Sequence, residues 1–285
     1  MSRNLLTLMI PSTCEHPWIS LLWSLSGNVS DINAGLHLHR YKTIVSFGGS
    51  FTDGGRHISG SLAPAVIIPP NSQTGGRSTN GHVWVEDIAC AIGAKIMDYA
   101  AAVTNISLWP SNPYLRDFIM QPTTFLNQCN NLDPRTTLCA PNERMNDCRV
   151  DGNHLPEAAQ DLLGLIDVFA SPPTNSCDFL VTVAGEAWIQ SIFDGLIASR
   201  SRDPPLNVDF VNFVTIWNGV LEPDSGYKAF GYTNTSSCVI GDGKSIVGSC
   251  DNPEHYLYWI GGHPSKETHR IMADYVEEVL RQCCM

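Results

Sequence analysis

The sequence predicts an α/β domain built on a parallel sheet. Three observations carry this. Short β-branched runs recur, at residues 43–47, 179–183 and 208–212. Amphipathic stretches with helical spacing alternate with them. The first run ends in a cluster of glycines around one serine, "SFGGSFTDGG" over residues 46–55. Strands alternating with helices are the signature of crossover units, which pair strands in parallel.

Residues 1–40 show no regular pattern and are expected to be an irregular N-terminal extension or a degenerate signal region. Their two short apolar runs, "LLTLMIP" and "WISLLWSLSG", are too short to span a bilayer. Residues 41–285 are expected to form a single domain. Residues 43–47 are short, β-branched and bounded by glycine, which predicts a buried strand. Residues 54–82 are rich in Gly, Pro, Ser and Asn and predict a long loop. "HVWVEDIACAIGAKI" places Val83, Trp84, Ile88, Ala91 and Ile92 at helical spacing. Residues 103–115 predict a loop, and 116–128 a helix. Residues 129–154 are polar and cysteine-rich, with no legible strand.

"LPEAAQDLLGLIDVF" has Pro156 where a helix can begin and an amphipathic pattern after it. "FLVTV" predicts a strand. "EAWIQSIFDGLIASR" carries an apolar stripe and predicts a helix. Residues 208–221 read as a strand running into a helix. Residues 268–282 form a terminal amphipathic helix.

The chain has 285 residues, 43% of them hydrophobic, enough for a packed core. Its net charge is −11, which argues against nucleic acid, since phosphate binding needs clustered Lys and Arg. Ten cysteines without a CxxC pair and with scattered histidines point to disulfides rather than a metal site. Cys129 with Cys139, and Cys238 with Cys250, lie close in sequence across turn-like segments and are the expected pairs. Sequons at Asn28, Asn105 and Asn234 add to an extracellular reading.

In open α/β sheets, active groups gather at the carboxyl ends of the strands. Ser50 stands at such an end. A nucleophilic serine needs a general base within reach. The best candidate is His263, in the turn "IGGHPS" before the last helix. By itself a serine in a glycine-rich turn is ordinary; the flanking motifs change its weight.

"FGGSFTDGG" resembles the first block of the GDSL, or SGNH, esterases, usually FGDSxxDxG, and "YLYWIGGHPS" resembles their last, usually YxFWDxxHPT. Between them, "GRSTNGHVWVEDIA", "MDYAAAVTN" and the stretch from "NVDFVNF" to "YTNTSSC" follow the family's intermediate motifs. The similarity covers residues 42–109 and about 185–282. It is closest to fungal carbohydrate esterases of family sixteen, which deacetylate sugars. It implies a three-layer α/β/α sandwich with a central parallel sheet, flavodoxin-like in order.

It further implies Ser50 as nucleophile and first oxyanion donor, and His263 as general base. Ala101, or Ala102, stands near the second oxyanion donor. Asn153 in "DGNHL" is the best match for the third. The family's triad aspartate falls on Ile260, so Asp251 or Glu254 is the expected substitute acid. No metal or cofactor is implied.

The expected function is hydrolysis of acetyl or short acyl esters, on carbohydrates or other small molecules, by a secreted monomer. The alternative is a non-catalytic descendant that binds a glycan or a partner. His57, His82, His154, His255 and His269 are read as surface residues. Trp84, Trp188 and Trp217 are read as core, and Trp109 as a packing residue beside Pro110.

Overall fold

The structure is a computed structural model that describes residues 32–33, 35–54, 66–68, 77–101, 120–143, 155–184, 189–201, 205–222, 226–240 and 249–283. Its centre is a six-stranded sheet. The strands are β1 (Thr43–Phe47), β2 (Val66–Ile68), β3 (Lys95–Asp98), β4 (Thr137–Glu143), β5 (Asp178–Val183) and β6 (Asn207–Asn212), in the order β2-β3-β1-β4-β5-β6. All neighbours are parallel except β2, which runs antiparallel to β3 at the edge.

The helices are α1 (Trp84–Ile92), α2 (Met120–Asn127), α3 (Leu155–Ala170), α4 (Ile189–Arg200), α5 (Val214–Leu221), α6 (Gly226–Ala229) and α7 (Lys266–Cys283). Strand alternation sends successive side chains to opposite faces. Val45, Phe47, Phe179, Val181 and Val208 pack with α3 and α4 through Leu162, Ile166, Ile192 and Phe193. Ile44, Ile96, Leu138, Leu180 and Val211 pack with α1 and α7 through Trp84, Ile88, Met272 and Val276. Two cores on two faces of one sheet make the three layers that the sequence predicts. Each fully buried side chain of this size contributes about 2 kcal/mol.

The order in which strands are added reverses at β1, which has β3 on one side and β4 on the other. Right-handed crossovers then force α1 onto one face and α3 and α4 onto the other. The carboxyl end of β1 is therefore the switch point, where such sheets leave an open crevice.

Three strands of the large sheet were not legible, the first being β2, which lies within the span 54–82 that the sequence predicts as loop. The helical pattern of residues 82–96 ends early, because Gly93 adopts a left-handed conformation (φ 70°) and caps α1. Lys95–Asp98 then forms β3. β4 carries Pro141, Asn142 and Glu143, a composition that argues against a central strand. It forms because β1 and β5 pair with it on both sides.

The packed structure also reaches before residue 41. Ile32 and Leu36 are buried, and the Asn33 amide exchanges hydrogen bonds of 2.8 and 2.7 Å with the backbone of Phe210 in β6.

A second, three-stranded sheet joins β7 (Asn234–Ser237), β8 (Tyr256–Ile260) and β9 (His263–Pro264). The expected Cys238–Cys250 disulfide is present and closes the segment between β7 and β8, with Cα atoms 4.9 Å apart.

The expected Cys129–Cys139 bridge is not formed: both cysteines are free. Cys139 points from β4 into the core and contacts Ser176, whereas Cys129 is exposed just past α2. Sequence proximity placed them together, and the strand that carries Cys139 into the core was one the sequence hid. Burial pushes the Cys139 thiol up to about 12, so it carries no thiolate at neutral pH.

Candidate active site

The turn after β1 is fixed from several sides. Gly48 has φ of +141°, a backbone that favours glycine, and a Cβ there would strike the carbonyl of Asn142 in β4. The Gly48 N–H donates to Gln121 Oε1 at 2.8 Å, and Gln121 Nε2 donates back to the Gly48 carbonyl at 3.0 Å. The Gly49 carbonyl accepts from the N–H groups of Thr52 and Asp53 at 3.0 and 3.1 Å.

Asp98, at the end of β3, holds both flanks. It accepts from Ser46 Oγ at 2.9 Å, from the Ala100 N–H at 3.0 Å and from the Gly54 N–H at 2.6 Å. Ser50 sits inside this frame, 1% exposed. The serine thus lies just below the surface at the switch point of the sheet.

His263 opens β9 after a Gly261-Gly262 turn in which Gly262 has φ of +69°. Its Nδ1 donates to the Gly261 carbonyl at 3.0 Å. A carbonyl only accepts, so this bond places the proton on Nδ1 and leaves Nε2 as the basic nitrogen. The imidazole meets the ring of Phe51, the residue after Ser50, edge to face at 6.5 Å between centroids.

Phe51 stacks on Trp217 at 5.7 Å and meets His269 at 6.1 Å. Trp217 Nε1 donates to the Tyr258 hydroxyl at 2.9 Å, tying α5 to β8. Trp84 Nε1 donates to Thr52 Oγ1 at 3.2 Å. The residues that follow the serine therefore form the seam between the large sheet and the small sheet that carries the histidine.

His269 corrects the surface reading. It is 1% exposed, and its Nδ1 accepts the Trp84 N–H at 3.3 Å. The amphipathic pattern of α7 turns this position inward, against the first turn of α1. Trp217 is only partly buried, while Trp84 is core, as expected. His255 is exposed. His57, His154, Trp109 and Trp188 lie outside the described residues.

The other expected site residues fall in different places. Ala101 directs its N–H to the Gly48 carbonyl at 3.0 Å, so that donor is engaged in holding the turn. Ala102 and Asn153 lie outside the described residues, as does Asn146, the first asparagine after β4 ends at Glu143. Ile260 is the cross-strand partner of His263. Asp251 and Glu254 are exposed and precede Tyr256, at the opposite end of β8 from Ile260. Four residue steps of strand span about 13 Å.

Sequence reasoning missed Gln121 and Asp98, whose sequence signals, an amide in a weak helix and an acid after a short apolar run, are ordinary. Among the described residues, no group of three or more His, Cys, Asp or Glu is arranged to hold a metal ion.

Among proteins of known function, a 108-residue segment, 37% of this chain, is 21% identical to GDSL esterase/lipase EXL5 of Arabidopsis thaliana. Over this segment the chain is similar to a GDSL esterase. No family profile matches the chain. The aligned segment spans 29% of the plant protein's length. Among solved structures, the chain is similar to a family two carbohydrate esterase from Clostridium thermocellum in complex with cellohexaose, with a TM-score of 0.47 and 13% identity. An active-site mutant of a family two carbohydrate esterase from that organism gives 0.48 and 14%. Each comparison covers 84% of this chain and 63% of the other.

Proposed function

We propose that this chain is a serine ester hydrolase acting on acetyl or short acyl esters of carbohydrates. The observation that supports the reading is the contact between the imidazole of His263, with its proton on Nδ1, and the ring of Phe51, the residue after Ser50 at the switch point of the sheet. Ser50 Oγ attacks the ester carbonyl while His263 Nε2 takes its proton. The Ser50 N–H donates to the oxyanion. Collapse expels the alcohol, which takes the proton back from Nε2. Water, deprotonated by the same nitrogen, then hydrolyses the acyl-serine.

The Gly261 carbonyl fixes the tautomer, as a triad acid does. It brings a dipole rather than a full charge, so it stabilises the imidazolium less. The reading therefore includes a slow kcat. Secretion belongs to the same reading, supported by the Cys238–Cys250 disulfide, a bond that persists in oxidising compartments.

A second reading is favoured by two observations, the 1% exposure of Ser50 and the isoleucine at position 260. On it, the chain binds a glycan without cleaving it. Hydrolysis of nitrophenyl acetate by the purified protein, with Ser50→Ala as control and mass spectrometry of a serine-directed phosphonate adduct, separates the two. Turnover lost in Ser50→Ala, with the adduct on Ser50, is expected. No turnover together with no adduct leaves the binding reading, and turnover unchanged in Ser50→Ala removes Ser50 as the nucleophile.

A further inference from the structure

Both backbone groups of Gly48 bond to one side chain, and the carbonyl accepts the Ala101 N–H as well. β1 ends at Phe47, and at Gly48 the carbonyl still accepts the Ala101 N–H while the Gly48 N–H turns to a side chain. A residue leaving a strand exposes an N–H and a C=O that must find partners when buried. Gln121 supplies both, its carbonyl oxygen accepting at 2.8 Å and its NH₂ donating at 3.0 Å. A primary amide carries one donor face and one acceptor face in a plane, so it can stand in for a missing strand. Gln121 is 0% exposed and comes from α2, 73 residues away in sequence.

The fork also has a consequence for direction. The Gly48 N–H lies in the Phe47–Gly48 peptide and its C=O in the Gly48–Gly49 peptide, so the two bonds restrain the planes on both sides of the Gly48 Cα. Gly48 lacks a side chain to restrain it, and its φ of +141° is open to glycine but to few other residues. Without the fork, the Gly48 N–H would lose its bond to Gln121 and the Ala101 N–H would be left to hold the Gly48 carbonyl.

We propose that Gln121 is a positioning residue for Ser50: its amide clamps the Gly48 peptide groups and so aims the nucleophile and its oxyanion N–H. This rests on the reading of Ser50 as the nucleophile. A small misplacement of reacting groups costs up to about 100-fold in rate.

The test uses the full chain and the variants Gln121→Ala, Gln121→Asn and Gln121→Glu, with three readouts: hydrogen exchange of the Gly48 amide, thermal unfolding, and kcat and KM on nitrophenyl acetate. In Gln121→Ala and Gln121→Asn, the Gly48 amide is expected to lose protection. kcat is expected to fall about 10- to 100-fold, with KM within about twofold. Gln121→Glu provides the rescue. A protonated carboxyl both donates and accepts, whereas a carboxylate only accepts and repels the Gly48 carbonyl. Its kcat relative to wild type should therefore rise as pH falls.

Three results overturn the proposal. One is a Gly48 amide as protected in Gln121→Ala as in wild type. Another is a folded Gln121→Ala whose kcat matches wild type while Gly48 exchanges freely. The third is a Gln121→Glu to wild-type ratio that stays flat with pH. An inactive wild type whose Ser50 takes no phosphonate is a different outcome. It overturns the esterase reading and the aiming role with it, while the exchange data still report whether Gln121 clamps Gly48.

Discussion

The Nδ1 of His263 donates to the carbonyl oxygen of Gly261, 3.0 Å away and two residues back in its own turn. An imidazole that serves as a general base needs its tautomer fixed. Here that is done by the backbone of the turn that presents it. Ile260 stands across the strand pair from His263, in the position that the GDSL resemblance gives to an acid.

Ile260→Asp should therefore raise kcat on nitrophenyl acetate about 10-fold or more. That is short of the roughly 10⁴-fold that a triad aspartate is worth elsewhere, because the Gly261 carbonyl already fixes the tautomer. KM should hardly change. Parallel measurement in Ile260→Asp with Ser50→Ala ties the gain to the serine. A folded Ile260→Asp with wild-type kcat would show that a carboxylate at 260 does not serve His263.

The Cys238–Cys250 bond closes the segment between β7 and β8, and β8 in turn pairs with β9, which carries His263. Closing a loop of this size stabilises by about 3 kcal/mol in the chain-entropy model. Replacing both cysteines by serine should lower Tm and reduce kcat, with KM less affected. The paired readout is thermal unfolding and steady-state kinetics. An unchanged Tm would mean that the strand pairing holds without the bridge.

Thiol labelling of the native protein checks the cysteine assignment. Cys90, Cys129 and Cys177 are exposed and free and should react with iodoacetamide. Cys139 should not, since burial removes both access and thiolate. Peptide mapping after denaturation should then find Cys139 newly reactive. A Cys129–Cys139 peptide in non-reducing maps would contradict the structure.

Asp87 accepts from His82 Nδ1 at 3.0 Å near the start of α1. Desolvation raises its carboxyl above the ordinary 3.8, and the His82 hydrogen bond opposes this. The folded state then holds the Asp87 proton more tightly than the unfolded chain. This contribution to stability is fully present below the ordinary value and is lost as pH rises through the folded value. Asp87→Asn should lose less stability than wild type as pH is raised from 3 to 6, followed by denaturant unfolding at each pH. Parallel curves for the two proteins would refute the assignment.

Several elements were legible because their signals are local. The glycine turn around Ser50, the strand before it and the amphipathic α7 each follow from a few consecutive residues. β4 was not, since Pro141-Asn142-Glu143 looks like loop until β1 and β5 pair with it. The inward turn of His269 was likewise hidden, because only the packing of α7 against α1 decides which polar residue of that helix goes inside.

By itself the sequence determined the alternation of strands and helices, the glycine-bounded turn that presents Ser50, and the Gly-Gly-His turn that presents His263. These rest on short-range backbone conformation and hydrophobic period, which neighbouring residues encode. Tertiary structure alone decided which groups surround them. Phe51 lies between Trp217, His269 and His263; Gln121 clamps Gly48 from 73 residues away; Asp98 binds Ser46 from 52 residues away. Such pairings depend on which chain segments the sheet order brings side by side. No local pattern encodes that order, because it is set by burying both faces of the sheet at once.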